Sequence, residues 1–251
     1  MRQGHYTIRF SETAPDIRAA QRLRGLCFLP RDHGSDRTDH GEALDSDAHD
    51  EICRHVLIED KQSGTLVCCF RILPLSCGSE IARSYSAQYY NLSSLAGYDG
   101  KLIEMGRFCI HPEWHDPDIL RVAWAALADY VETEGVELLF GCSSFIGTDP
   151  GAYADAFAML RERHLAPKRW LPRVKAPQVF RFARALRLRR ADSRKALAAM
   201  PPLLRSYLAM GGWVSDHAVV DQQLNTLHVF TGLEISAIPP ARKRLLRGSP
   251  G

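Results

Sequence analysis

Residues 101–150 read KLIEMGRFCIHPEWHDPDILRVAWAALADYVETEGVELLFGCSSFIGTDP, and the order of elements in this stretch decides the fold class. Lys101 to Ile110 is apolar enough for a strand and is ended by His111-Pro112. Asp116-Pro117 then offers a capping carboxylate followed by a residue whose φ is already set for a helix. Ile119, Leu120, Val122, Ala123, Trp124, Ala126, Leu127, Tyr130 and Val131 cover more than one stripe of that helix, which predicts burial against a sheet and a stop before Gly135. Val136 to Phe140 predicts a short strand, and Gly141 to Pro150 leads from it into another helix, with Asp149-Pro150 repeating the cap arrangement. Strand, helix, strand, helix is the pattern of a mixed sheet with helices packed on it.

Working outward, Ile52–Glu59 and Thr65–Leu73 predict an antiparallel hairpin turning at Asp60–Gly64, and residues 14–26 predict a first helix with Asp16 in its first turn. Residues 30–51, polar and rich in Asp and His, read as a long ordered loop or a lid. Arg169 to Phe182, with Pro172 and Pro177, reads as a loop or edge element. Arg184 to Met200 predicts one basic amphipathic helix ended by Pro201-Pro202, Leu203–Met210 a short helix stopped by Gly211-Gly212, and residues 213–230 two closing strands. Residues 242–251 read as a frayed basic tail. The expected fold is a single α/β domain over residues 1–251, with a mixed, mostly antiparallel sheet splayed near its centre and helices on both faces.

With 251 residues, 45% of them apolar, the chain can build a core without disulfides or metal. No run of 18 apolar residues is present, and Arg2, Arg9, Arg18, Arg22 and Arg24 interrupt any signal-peptide core, so a cytoplasmic protein is expected. Cys27, Cys53, Cys68, Cys69, Cys77, Cys109 and Cys142 are odd in number and form no C-x-x-C pair, which points to reduced thiols. His111 and His115 are bracketed by Pro112 and Pro117 rather than carried on one helical face, so no metal is expected.

The net charge of +3 is unevenly spread: residues 1–160 hold 24 acidic and 14 basic residues, while residues 161–251 hold 5 acidic and 18 basic. The densest basic run is Arg181, Arg184, Arg187, Arg189, Arg190, Arg194 and Lys195, opposed only by Asp192. An acidic protein or an anionic membrane face suits it better than nucleic acid, for which no reading motif accompanies the charge.

Two constellations carry candidate chemistry. Glu104 and Arg107 are charged residues inside a strand-like run, so each needs a partner; Gly106 between them permits a bulge that opens the strand beside its neighbour. Glu104 would then accept a proton from an attacking amine, with Arg107 holding a carboxylate or fixing the loop above it. The second is Gly141 to Pro150: small residues Gly141-Cys142-Ser143-Ser144 at the end of a short strand, then Gly147 and a capped helix, leave backbone N–H groups that can bind an oxyanion or an anionic ligand. No G-x-S-x-G elbow supports a nucleophilic Cys142 or Ser143.

Taken in order, Ala19–Arg24, Asp45-Ser46-Asp47 with Asp50, Cys53-x-His55, Phe70–Pro74, Glu104-Met-Gly-Arg107, Cys109-Ile-His111-Pro112, Phe140–Phe145, Gly147–Pro150, Gly212–Val214 and Asp216–Asp221 resemble the ornithine N-acyltransferases that make lyso-ornithine lipid. These belong to the GCN5-related N-acyltransferase superfamily and are similar to the acyl-homoserine lactone synthases. The resemblance implies transfer of a 3-hydroxyacyl chain from the phosphopantetheine of acyl carrier protein to the α-amino group of ornithine, with no permanently bound cofactor. It implies Glu104 as base and Arg107 as organiser, Phe108, Cys109, Gly141, Cys142, Ser143 and Ser144 along the acyl and pantetheine path, and Asp45, Asp47 and Asp50 as contacts for a cationic amino acid. The basic run Arg181–Lys195 would dock acyl carrier protein or hold the enzyme on the inner face of the cytoplasmic membrane. Arg54 and Phe108 depart from the residues common at those positions, which keeps glutamine open as acceptor. His111–Pro117 lacks the glycine-rich cradle for the pyrophosphate of coenzyme A, which favours a carrier-borne donor. The rival readings are an acyl-homoserine lactone synthase taking S-adenosylmethionine and an inactive lipid-binding module.

Overall fold

The computed structural model describes residues 4–29 and 43–246. In chain order the strands are β1 (Tyr6–Phe10), β2 (Arg54–Asp60), β3 (Leu66–Leu75), β4 (Tyr90–Asn91), β5 (Leu102–Ile110), β6 (Leu138–Ile146), β7 (Arg173–Val174), β8 (Val179–Phe180), β9 (Trp213–Asp221) and β10 (Thr226–Glu234). The α-helices are α1 (Ala14–Phe28), α2 (Ser86–Tyr89), α3 (Asp118–Glu134), α4 (Ala154–Arg163), α5 (Phe182–Ala185), α6 (Ser193–Ala199), α7 (Pro202–Ala209) and α8 (Pro240–Leu246). The fold is mixed α/β around a central sheet, as the sequence predicts; the strand order is β1-β2-β3-β5-β6-β10-β9-β8, with β4 and β7 as a separate pair. Among the described residues no helix is long and apolar enough to cross a membrane.

The chain divides into two compact units: residues 1–74 with 105–135 and 243–251, and residues 75–104 with 136–242. In the first, the hairpin of β2 and β3 forms as predicted, with Val56 opposite Phe70 and Leu57 opposite Cys69. The short strand β1, not foreseen, adds antiparallel to β2 from Tyr6↔Asp60 to Phe10↔Val56. Helix α1 starts where a reciprocal capping box forms: Asp16 N–H donates to Thr13, and the Asp16 carboxylate accepts the Thr13 N–H. Its buried face, Ala20 and Leu23, meets Leu57, Cys69 and Cys109. Asp116, expected as the cap of α3, stands one place before it: the cap position is Pro117, and the Asp116 carboxylate accepts the Asp118 N–H at 2.9 Å.

In the second unit β5 pairs in parallel with β6 from Leu102↔Leu138 to Glu104↔Phe140, where that register ends. Strand β6 runs on to Ile146, paired throughout with β10. This corrects the reading of a strand that ends at Phe140: Gly141–Ile146 is strand too, with Gly141 opposite Thr231, Ser143 opposite Val229 and the Thr231 hydroxyl donating to Ser143 Oγ at 3.0 Å. Small residues signalled the strand's end, yet cross-strand partners for their polar atoms make them strand positions. Asp149 accepts the Gly151 N–H at 2.8 Å and opens a 3-10 turn that leads into α4. A core of Phe145, Phe157, Leu160, Phe182, Leu204, Val214 and Leu227 packs under α4, α5, α6 and α7.

The single basic helix over 184–200 is also corrected. Helix α5 stops at Ala185, and Arg161 donates to the carbonyls of Leu186 and Arg189, holding the chain out of helical register. Asp192 then accepts the N–H groups of Arg194 and Lys195 and starts α6 afresh. In the tail, residues 240–246 are helical rather than frayed, and residues 247–251 lie outside the described residues.

Candidate functional site

Glu104 is the last residue of β5 paired with β6, and only 4% of it is exposed. Its carboxylate accepts the Tyr85 N–H at 2.7 Å, the Ser86 N–H at 2.7 Å and the Ser86 hydroxyl at 2.6 Å. An ionised carboxylate has about four lone-pair sites, and these donors occupy three of them. Through these bonds Glu104 clamps the turn that opens α2. Cys142 is in reach, its Sγ 3.3 Å from Ser86 Oγ.

The same unit holds an aromatic and imidazole cluster that sequence reasoning missed as a site. Tyr90, fully buried, has its ring 5.2 Å from that of His217, 5.6 Å from His228 and 5.7 Å from Phe230. Phe230 stacks on Phe140 and Trp213, and Tyr89 meets His228 edge-on. Tyr90 Oη donates to the His228 carbonyl at 2.7 Å and lies 3.2 Å from His228 Nδ1. Burial pushes the Tyr90 hydroxyl well above its ordinary range and lowers His228 to about 4, so both are neutral near pH 7. The available signal was the crowding of Tyr85, Tyr89 and Tyr90 and the alternation of Ser215, His217 and Val219 along one strand.

The other unit contains a buried ionic network. Arg24, fully buried, donates to Asp45 Oδ2 at 2.9 Å and to Asp50 Oδ1 at 2.7 Å. Arg71 binds Asp47 at 2.6 Å and Asp50 at 2.8 Å. Arg107 binds Asp45 at 3.0 Å and Asp47 at 3.4 Å. Burial alone would raise the Asp47 and Asp50 carboxyls, but the arginines outweigh it and hold both below the usual range. Asp45, Asp47 and Asp50, expected as contacts for a cationic amino acid, are each paired here with guanidinium groups of Arg24, Arg71 and Arg107. Arg107 takes the loop-fixing alternative, and the irregular backbone is its own, with φ of 52°; Gly106 has ordinary φ. Of the expected acyl-path residues here, Phe108 packs on Phe70 with ring centroids 5.9 Å apart. Cys109 is core, 3.5 Å from Cys69 Sγ, and burial holds its thiol well above the ordinary range.

Of the basic run, Arg189 is paired with Asp155 at 3.1 Å and Lys195 lies 3.8 Å from Asp192. Arg181, Arg184, Ala185 and Arg187 line an open depression. Beside it Leu188 is 87% exposed.

A family model described as acetyltransferase (GNAT) domain matches residues 23–125. Over 239 residues the chain is 35% identical to an L-ornithine N(alpha)-acyltransferase of Rhodobacter capsulatus, covering 93% of this chain and 91% of that one. The chain belongs to the GNAT acyltransferase family. This GNAT protein is also 31% identical over 248 residues to an L-ornithine N(alpha)-acyltransferase of Agrobacterium fabrum, covering 94% of this chain and 83% of that one. Its fold is shared with an N-acyl amino acid synthase from uncultured soil microbes, at a TM-score of 0.53 and 10% identity over 95% of this chain and 98% of that one. The chemistry is GNAT-type acyl transfer to an amino group.

Proposed function

We propose that the protein transfers a 3-hydroxyacyl chain from acyl carrier protein to the α-amino group of ornithine. The observation that carries the reading is the similarity to an L-ornithine N(alpha)-acyltransferase at 35% identity over 93% of the chain. Glu104 and Arg107 act here as positioning residues, the first through the Tyr85–Ser86 turn and the second through Asp45 and Asp47. Gly141, Cys142, Ser143 and Ser144 remain our choice for the wall along the acyl and pantetheine path, now as residues of β6.

Two features support a carrier-borne donor over free coenzyme A. The N-terminus of α3, where a pyrophosphate would need free N–H groups, is occupied by Asp116, whose carboxylate accepts from Asp118 N–H and from the Tyr6 hydroxyl at 2.8 Å. A carboxylate already seated there repels a second anion. The basic run from Arg181 to Lys195 supplies long-range attraction for an acidic partner, a surface suited to acyl carrier protein or an anionic membrane on the cytoplasmic side.

The test is incubation of the purified protein with 3-hydroxyacyl carrier protein or the matching coenzyme A thioester, and with ornithine, glutamine or S-adenosylmethionine, followed by product mass. Nα-acyl-ornithine is expected from the carrier-borne donor at a kcat/KM at least about 100-fold above the coenzyme A thioester, a difference of roughly 2.7 kcal/mol. Acyl-glutamine or a lactone as the sole product would replace ornithine. No product from any pair would overturn the enzyme reading in favour of a lipid-binding module.

A further inference from the structure

The reaction needs a neutral amine, and the Glu104 carboxylate is committed to three donors. A basic lone pair must be sought elsewhere. Among the described residues, two buried imidazole nitrogens on β9 and β10, His217 Nε2 and His228 Nε2, have no hydrogen-bond partner; a third, His55 Nδ1, lies on β2 in the other unit. Buried polar atoms are rarely left so, and where they are the position calls for a functional account. The two histidines differ in what their other nitrogen meets. His228 Nδ1 faces the Tyr90 hydroxyl at 3.2 Å, so a proton taken up there would have no counter-charge hydrogen-bonded to the ring. His217 Nδ1 lies 2.6 Å from Asp216 Oδ1.

We propose that His217, oriented by Asp216, is the catalytic proton acceptor for the incoming amine; this rests on the amine-acylation reading above. The carboxylate accepts from Nδ1–H, which fixes the tautomer and leaves the lone pair on Nε2, and it balances the imidazolium once formed. His217 is fully buried while the Asp216 side chain is 43% exposed, so the pair joins the interior to solvent. Around His217 lie the Tyr90 ring, His228 held neutral by burial, and Ser215, whose hydroxyl donates to the His217 carbonyl at 2.7 Å. Asp221, near His228, is the other acidic group acting on this cluster. Cys142, on the proposed donor path, stands opposite Phe230 across β6 and β10, and Phe230 packs against the same Tyr90 ring.

The step balances as follows. The ammonium form of the acceptor gives one proton to His217 Nε2, and the freed nitrogen lone pair attacks the thioester carbonyl carbon. The tetrahedral adduct collapses with cleavage of the C–S bond and loss of a second proton from nitrogen. The imidazolium returns its proton from Nε2 to sulfur, so the leaving group departs as a thiol and the Nε2 lone pair is restored, while the second proton lost from nitrogen passes to water.

The test uses the full chain with 3-hydroxyacyl carrier protein and ornithine between pH 7 and 9.5. His217→Gln is expected to lower kcat at pH 7 by about 100-fold or more, with KM for the donor within about twofold of wild type. The deficit should shrink by close to tenfold per pH unit, because the acceptor increasingly arrives already neutral; a purely structural defect has no such dependence. Asp216→Asn, at a half-exposed position, should fall in the same direction and carries the test if the His217 variant does not fold. An active wild type with both variants within about threefold of it at pH 7, or with a deficit constant across the pH range, overturns the assignment of His217 alone. A wild type that acylates no amine removes the functional reading and this inference with it.

Discussion

Glu104 and Arg107 stand three residues apart in sequence and do different work. Their charge inside an apolar run marked both as paired residues, and that much was legible. Their partners were not, because Tyr85 and Ser86 offer backbone N–H groups that no sequence pattern advertises. Glu104→Gln would turn one acceptor oxygen into a donor facing a buried N–H, at a cost of about 1–3 kcal/mol. We expect chemical denaturation to show that loss together with a fall in kcat, whereas Glu104→Asp loses activity with a smaller change in stability. If Glu104→Gln keeps full activity, the clamp on Tyr85 and Ser86 has no part in the reaction. Arg24→Met strands two buried carboxylates, Asp45 and Asp50, and should destabilise by about 3–5 kcal/mol in the same measurement. A loss below about 1 kcal/mol would mean that Arg71 and Arg107 can neutralise all three aspartates unaided.

Elements whose signals are local were read correctly: the β2–β3 hairpin, α1, α3, and the closing pair β9 and β10. The misreadings share a cause. Gly141–Ile146 has the composition of a strand-to-helix connection but is strand because β10 satisfies it, and the 184–200 run has helical periodicity but is split because Arg161 and Asp192 intervene. In each case a partner remote in sequence overrode local propensity. Asp192→Ala should remove the α6 cap and lower stability by about 1 kcal/mol. It should not fuse α5 and α6, since Arg161 still holds the carbonyls of Leu186 and Arg189. Scanning calorimetry measures the first effect and amide exchange over residues 186–192 the second; new protection there would contradict the role given to Arg161.

Across the whole molecule, the pH dependence of stability follows from groups held away from their ordinary titration. His228 has its folded value lowered to about 4 from 6.5. Its contribution is complete above the unfolded value and is lost as pH falls from 6.5 towards 4, on the order of 3 kcal/mol in all. Asp47 and Asp50 are also lowered, so their contribution is present above about pH 4 and is lost below it. Denaturation midpoints should therefore decline in two stages on acidification, and His228→Phe should flatten the first. A single stage below pH 4 would show that His228 is not held neutral. The opposed charges of the first 160 and last 91 residues were plain from composition. Reversing Arg187 and Arg190 should raise KM for the carrier-borne donor and flatten its dependence on salt. An unchanged KM would make that surface a solvated face.

The left-handed backbone at Arg107 has a practical corollary for anyone redesigning this enzyme. The residue suited to that conformation, Gly106, sits one place too early, and the guanidinium that ties Asp45 to Asp47 occupies the place where a side chain is least welcome. Exchanging the two would ease the main chain while moving the cation one step along the strand, out of register with both aspartates. A scoring scheme that rewards backbone comfort would rank that exchange as an improvement, and a selection for product would discard it.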